Sequence, residues 1–227
     1  MLFSAAITRI GGPDAHEVKK NSQPWVVRIK NGCGGTLIGA RHVLTAAHCF
    51  SHSRDGVYVG DHDQTKPDGE TYFEIEKWEL HPDYEGGIFA IKSPYQMHSY
   101  NLYPSFFNFH LISNLTDIPS YDPAYDAAIL ILKEPVDFSK ITNARPAHLP
   151  DKDEDCSLFG KDMDTSGWGQ YNKTAPSPDK LWTVKQQCLD PTGCTYRFHE
   201  DIMLCVGDQE KPKNSACYGD SGGRYSI

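Results

Sequence analysis

The sequence predicts an all-β fold, either a sandwich or a pair of barrels. Short runs in which apolar and polar residues alternate are separated by Gly, Pro, Asn and Asp along the chain, and that period of two marks a half-buried strand. No long stretch repeats its apolar residues at helical spacing. The 227 residues, 23% of them charged, suffice for one two-barrel domain or two small domains with a sizeable core.

Taken in order, PWVVRIK (24–30) reads as a strand, and GGTLIGARHVLTAA (34–47) follows it. TAAHCF (45–50) suits one short helical turn. GVYVG (56–60), YFEIEKWEL (72–80), AAILIL (127–132) and LWTVKQQC (181–188) read as further strands. One stretch does not fit. Gly86 to Ser120 is rich in Tyr, Phe, Asn, Ser and Pro and nearly free of charge. A structureless loop of that length inside a compact domain is uncommon. The chain contains no internal repeat and no other low-complexity segment.

The formal net charge of −8 argues against nucleic acid and anionic membranes as partners. No apolar run approaches the roughly 20 residues of a membrane span. Seven cysteines are many for a cytosolic chain and ordinary for a secreted one, and an odd count leaves one without an intrachain partner. Asn114 and Asn172 each head an N-glycosylation triplet. The opening MLFSAAI is too short for a full secretory signal, so secretion is inferred from the cysteines.

Three residues in chain order carry a possible chemistry: His48 in LTAAHC, Asp126 in YDAAILIL and Ser221 in GDSGG. A serine hydroxyl is a weak nucleophile until a histidine takes its proton. A carboxylate holds that imidazole in the right tautomer, and a Gly-rich turn presents N–H groups to the oxyanion. Other readings exist for each. His42, His48 and Cys49 do not have an established metal-ligand spacing. Asp126 is otherwise a turn acid before a strand, and Ser221 a loop serine.

PWVVRIK, CGGTLIGARHVLTAAHC, YDAAILIL, SGWG, MLCVG and CYGDSGG, in that order, resemble the chymotrypsin-like (trypsin-type) serine proteases. The resemblance covers most of the chain except 86–120. It implies two packed antiparallel six-stranded β-barrels with His48, Asp126 and Ser221 in the cleft between them. Asp126 follows His48 by 78 residues and Ser221 follows Asp126 by 95. The worked triad of the family has intervals of roughly 45 and 93. The excess in the first interval is close to the length of the 86–120 stretch, which reads as an insertion. It is either a lid or exosite loop, or translated intron sequence.

The resemblance also implies the finer assignments. Cys33 pairs with Cys49, and Cys205 pairs with Cys194 in preference to Cys188. Cys156 and Cys188 have no assignment, and Cys217 normally pairs with a cysteine beyond the serine. Cleavage after Arg9 frees Ile10, whose ammonium pairs with Asp220, although Ile10-Gly11-Gly12 is one residue shorter than the usual segment. The oxyanion donors are the N–H groups of Gly219 and Ser221. Ser215 lies at the base of the specificity pocket and favours an apolar or aromatic residue over Arg or Lys. No cofactor is expected beyond calcium at Asp61 and Glu70 in the loop GDHDQTKPDGE, whose other reading is a solvated acidic turn.

The domain expectation is a propeptide-like segment over 1–9 and a protease domain over 10–227. Its first barrel spans about 10–135, and its second, about 145–227, is expected to be incomplete. The sequence ends six residues after Ser221, and GGRYSI departs from the family pattern at Arg224. The chain as written is therefore expected to be inactive. The leading expectation is a secreted, monomeric serine endopeptidase that meets protein or peptide substrates and protease inhibitors, with no nucleic acid or membrane partner. The rival is a catalytically inactive protease-like fragment or binding protein.

Overall fold

The computed structural model describes residues 14–30, 32–51, 55–84, 124–149, 160–170, 176–194, 198–199, 201–207, 216, 219–223 and 225–226. Among these, strands and two short 3-10 turns make up all the regular structure. No described helix is long and apolar enough to cross a membrane.

Six strands close into a barrel in the order β2-β3-β4-β7-β6-β5. They are β2 (Val26–Ile29), β3 (Cys33–Gly39), β4 (His42–Thr45), β5 (Gly56–Val59), β6 (Thr71–Leu80) and β7 (Ala128–Leu132). The alternation read from the sequence becomes the inside and outside of this barrel. In β7, Ala128, Leu130 and Leu132 are buried while Ile129 and Ile131 are partly covered. Val27, Ile29, Leu37, Val43, Val57 and Val59 are fully buried around them. Burying each such side chain is worth about 1.5–3 kcal/mol. Register shifts between Leu37 and Gly39 and between Ile75 and Lys77 are bulges of the kind that let a sheet bend shut.

The second sheet runs β1-β9-β8-β11, with β10 also on β9, and is open among the described residues. Its strands are β1 (His16–Glu17), β8 (Asp162–Gly167), β9 (Trp182–Cys188), β10 (Val206–Gly207) and β11 (Tyr225–Ser226). Its interior is partly polar. Thr165 Oγ1 donates to Gln186 Oε1 at 2.9 Å, and Ser166 Oγ donates to Thr183 Oγ1 at 2.9 Å. Each of these hydroxyls donates to a side-chain or carbonyl oxygen, so burying them leaves little unpaired.

An apolar cluster of Val18, Val26, Trp168 and Leu181, with Trp25 against it, joins the two sheets. Trp168 Nε1 donates to the His62 carbonyl at 3.0 Å, and Leu181 N donates to the same oxygen at 2.8 Å. Glu17 accepts from Lys180 at 2.9 and 3.0 Å and meets His62 Nε2 at 3.1 Å. These contacts tie the first sheet to the second.

Candidate active site

The ladder between β4 and β7 brings His48 to Asp126. Thr45 pairs with Ala128, so the residues just beyond that pair, three along one strand and two back along the other, meet at one end of the barrel. His48 lies on the 3-10 turn Ala47–Ser51. Cys33 and Cys49 form a disulfide, which ties the turn to the start of β3. Asp126 is 5% exposed. Its Oδ2 lies 2.6 Å from His48 Nδ1, and its Oδ1 accepts the His48 backbone N–H at 2.9 Å. One carboxylate thus fixes both the ring and the main chain of the histidine. A histidine that donates Nδ1–H to such a carboxylate keeps Nε2 as its open ring nitrogen.

Ser221 belongs to the turn Gly219–Gly223. The Gly34 N–H of β3 donates to the Ser221 carbonyl at 2.8 Å, and Gly223 N donates to the Asp220 carbonyl at 2.9 Å. Thr45 Oγ1 donates to the Gly34 carbonyl at 2.8 Å. The serine turn is therefore tied to β3, and β3 to β4, the strand that leads into His48. Gly222 has φ +77°, and a Cβ there would run into Thr45 Oγ1 and come within 2.6 Å of the Gly34 oxygen. Only glycine fits this close approach. Thr45 and Gly34 were not singled out from the sequence. The signal available was their place in the runs that flank Cys33 and His48.

Asp220 is 5% exposed. Its Oδ1 accepts the Gly169 N–H at 2.7 Å. A Cβ on Gly169 would collide with that carboxylate, which explains the glycine that ends SGWG. The turn carrying Ser221 is held from behind by this aspartate and from the front by β3.

Cys194 and Cys205 form the second disulfide, the pairing expected over Cys188. Cys188 is a buried free thiol, and burial pushes its pKa up. Because Cys33 and Cys49 are bonded to each other, neither sulfur is open to a metal beside His48. Arg9, Ile10, Asn114, Asn172, Ser215, Cys156, Cys217 and the 86–120 stretch lie outside the described residues.

Asp61, Asp68 and Glu70 each bring a carboxylate oxygen to within 4.8 Å of the others. The sequence pointed to Asp61 and Glu70, and the fold adds Asp68. Arg28 Nε donates to Asp61 Oδ2 at 2.6 Å, and Lys20 Nζ lies 3.1 Å from Asp68 Oδ2. The other oxygens, Asp61 Oδ1 and Asp68 Oδ1, are buried with no hydrogen-bond partner among the described residues. Burial holds the Asp61 carboxyl above the usual carboxylate range, even with Arg28 drawing it back. Such an all-oxygen set with two unmet acceptors fits a hard cation such as calcium.

Comparisons with known proteins place the chain among related sequences and folds. The trypsin family model matches residues 13–92 and 107–225, and the unmatched residues 93–106 fall inside the 86–120 stretch. Kallikrein 1-related peptidase b5 of Mus musculus is 31% identical over 215 residues, covering 90% of this chain and 70% of that protein. Tonin of Rattus norvegicus is 31% identical over 222 residues, covering 94% and 73%. A structure of neuropsin, described as a serine protease expressed in the limbic system of mouse brain, superposes with a TM-score of 0.68 at 23% identity. That match covers 93% of this chain and 80% of the other, and its likeness supports the fold.

Proposed function

Because this chain belongs to the trypsin family of serine proteases, we propose that it is a secreted serine endopeptidase working through His48, Asp126 and Ser221. The observation that carries this reading is the double hydrogen bond of Asp126 to His48, at 2.6 Å to the ring and 2.9 Å to the main chain. His48 Nε2 takes the proton of Ser221 Oγ as that oxygen attacks the substrate carbonyl. The oxyanion formed is met by the N–H groups of Gly219 and Ser221. His48 then gives the proton to the leaving amine, and the C–N bond breaks to leave an acyl-enzyme. Water, deprotonated by the same imidazole, releases the acid product.

Peptide or protein substrates follow from the family. Cleavage after Arg9 frees Ile10 to pair with Asp220, and Asn114 and Asn172 carry glycans. Ser215 at the pocket base favours Phe, Tyr or Leu at the cleavage site. Protease inhibitors bind the same cleft, and the protein acts as a monomer. Asp61, Asp68 and Glu70 hold a calcium ion that stiffens their loop. Secretion is supported by the two disulfides among the described residues.

The test is pre-steady-state hydrolysis of chromogenic esters and peptides by the protein freed at Ile10. With the esters a burst equal to the enzyme concentration is expected, and with the peptides a higher kcat/KM for Phe than for Arg at the cleavage site. The Ser215→Asp variant should shift preference toward Arg and Lys. No burst and no turnover from folded protein would favour the rival, a protease-like binding protein.

A further inference from the structure

Tyr125, immediately before Asp126, adopts a left-handed backbone with φ 57°. A bulky residue is uncommon in that region, and such strain persists only where the surroundings impose it. Core packing does not impose it here, since Tyr125 is 39% exposed. Its ring instead stacks on His81, with centroids 4.8 Å apart and planes 15° apart. His81 is itself fixed just beyond the end of β6. Its N–H donates to the Ala127 carbonyl at 2.9 Å and its carbonyl accepts from Tyr84 N at 3.0 Å. Its Nδ1 accepts the Asp83 N–H at 3.2 Å. The Ala127 N–H closes back on the Tyr125 carbonyl at 2.7 Å, so Asp126 sits at the apex of a three-residue turn. The two sides of that turn are clasped to the same His81, by stacking on one side and by a backbone hydrogen bond on the other.

We propose that Tyr125 and His81 are positioning residues: their stack holds the strained turn that aims the Asp126 carboxylate at His48. Neither touches the reacting atoms. The role rests on the triad reading above, since Asp126 matters to activity only if His48 is the base. The same clasp joins the chain just before the 86–120 stretch to the chain just after it.

Three variants of the 227-residue protein separate positioning from mere packing. Tyr125→Gly removes the ring and relieves the left-handed backbone, so its Tm should not fall. Its kcat should drop on the order of tenfold with KM unchanged, because a small misplacement of a catalytic group is costly. His81→Ala should reproduce the loss, and Tyr125→Phe, which keeps the ring, should restore wild-type kcat. A readout independent of turnover is the low-field proton resonance of the His48–Asp126 hydrogen bond. It should shift or broaden in Tyr125→Gly and His81→Ala and stay unchanged in Tyr125→Phe. If the wild type fails to turn over, the triad reading fails, and the resonance alone decides the positioning role. An unchanged resonance and unchanged kcat in Tyr125→Gly, or a fall in Tm with kcat unchanged, would overturn the proposal.

Discussion

The first barrel closes on itself around an apolar core, whereas the second sheet, as far as it is described, is open and partly polar inside. The difference teaches how the site divides its labour. His48 and Asp126, the proposed base and its orienter, stand at the end of a closed ladder, where the pairing of Thr45 with Ala128 sets their separation. Ser221, the proposed nucleophile, stands on a glycine turn tied to the first barrel by the hydrogen bond of Gly34 N to the Ser221 carbonyl at 2.8 Å. Rigid side-chain geometry is kept in the barrel, and backbone approach is reserved for the turn.

The largest expected effect breaks the division at either side. Replacing Ser221 or His48 by alanine should each lower kcat by about 10⁶-fold, and the double variant should be little worse, because such residues act as a unit. Asp126→Asn should cost about 10⁴-fold, since the amide permits the wrong tautomer of His48. Additive losses in the double variant would show that the two sheets contribute independently.

The contrast between the cores gives the next effect. Leu130→Ala, fully buried in the barrel, should destabilise by about 2–5 kcal/mol in urea unfolding. Thr165→Val leaves Gln186 Oε1 without the donor now at 2.9 Å and should cost about 1–3 kcal/mol. A reversal of that order would mean that the polar sheet carries the stability.

The same contrast decides what was legible in the sequence. Strands β2 to β7 were read from their alternation, and the turn at His48 was read as one short helical turn. Strand β8 was missed because DMDTSG shows no apolar period, its burial being met by the paired hydroxyls of Thr165 and Ser166. The two-residue strands β1, β10 and β11 are too short to carry a period. His48, Asp126 and Ser221 were visible through local runs. Their supports were not, because the Gly169 N–H reaches Asp220 across 51 positions and the Gly34 N–H reaches the Ser221 carbonyl from the other sheet. Such contacts depend on strand register, which no local pattern states.

The disulfides sharpen the comparison further. They close loops of 16 and 11 residues, so chain entropy makes their stabilisation differ by only about 0.3 kcal/mol. Removing either should cost about 2–5 kcal/mol. Only the Cys33→Ala/Cys49→Ala protein should also lose kcat, because that bond anchors the turn of His48. Equal kcat losses from both double variants, measured well below their unfolding midpoints, would show that the bond does not position the histidine.

The last effect depends on a ligand: the calcium proposed at Asp61, Asp68 and Glu70. At about 100 times its Kd it should add about 2.7 kcal/mol, a Tm rise of roughly 5–10 °C for a chain of this size. Asp61→Asn should abolish the rise. The calcium-bound form needs the Asp61 carboxylate ionised, and burial raises its pKa. The stabilisation should therefore fade as pH falls, beginning at a higher pH than for an exposed aspartate. A Tm rise that survives Asp61→Asn unchanged would place the ion elsewhere.

The central claim is that Asp126, His48 and Ser221 form one working constellation across the two sheets. The most direct measurement is labelling of the oxidatively folded protein, cleaved after Arg9, with a fluorophosphonate probe, followed by mass mapping of the modified residue. The account predicts one label per molecule on Ser221, lost in Ser221→Ala and strongly slowed in His48→Ala. Folded protein that takes up no label, or takes it up equally without His48, would contradict the account.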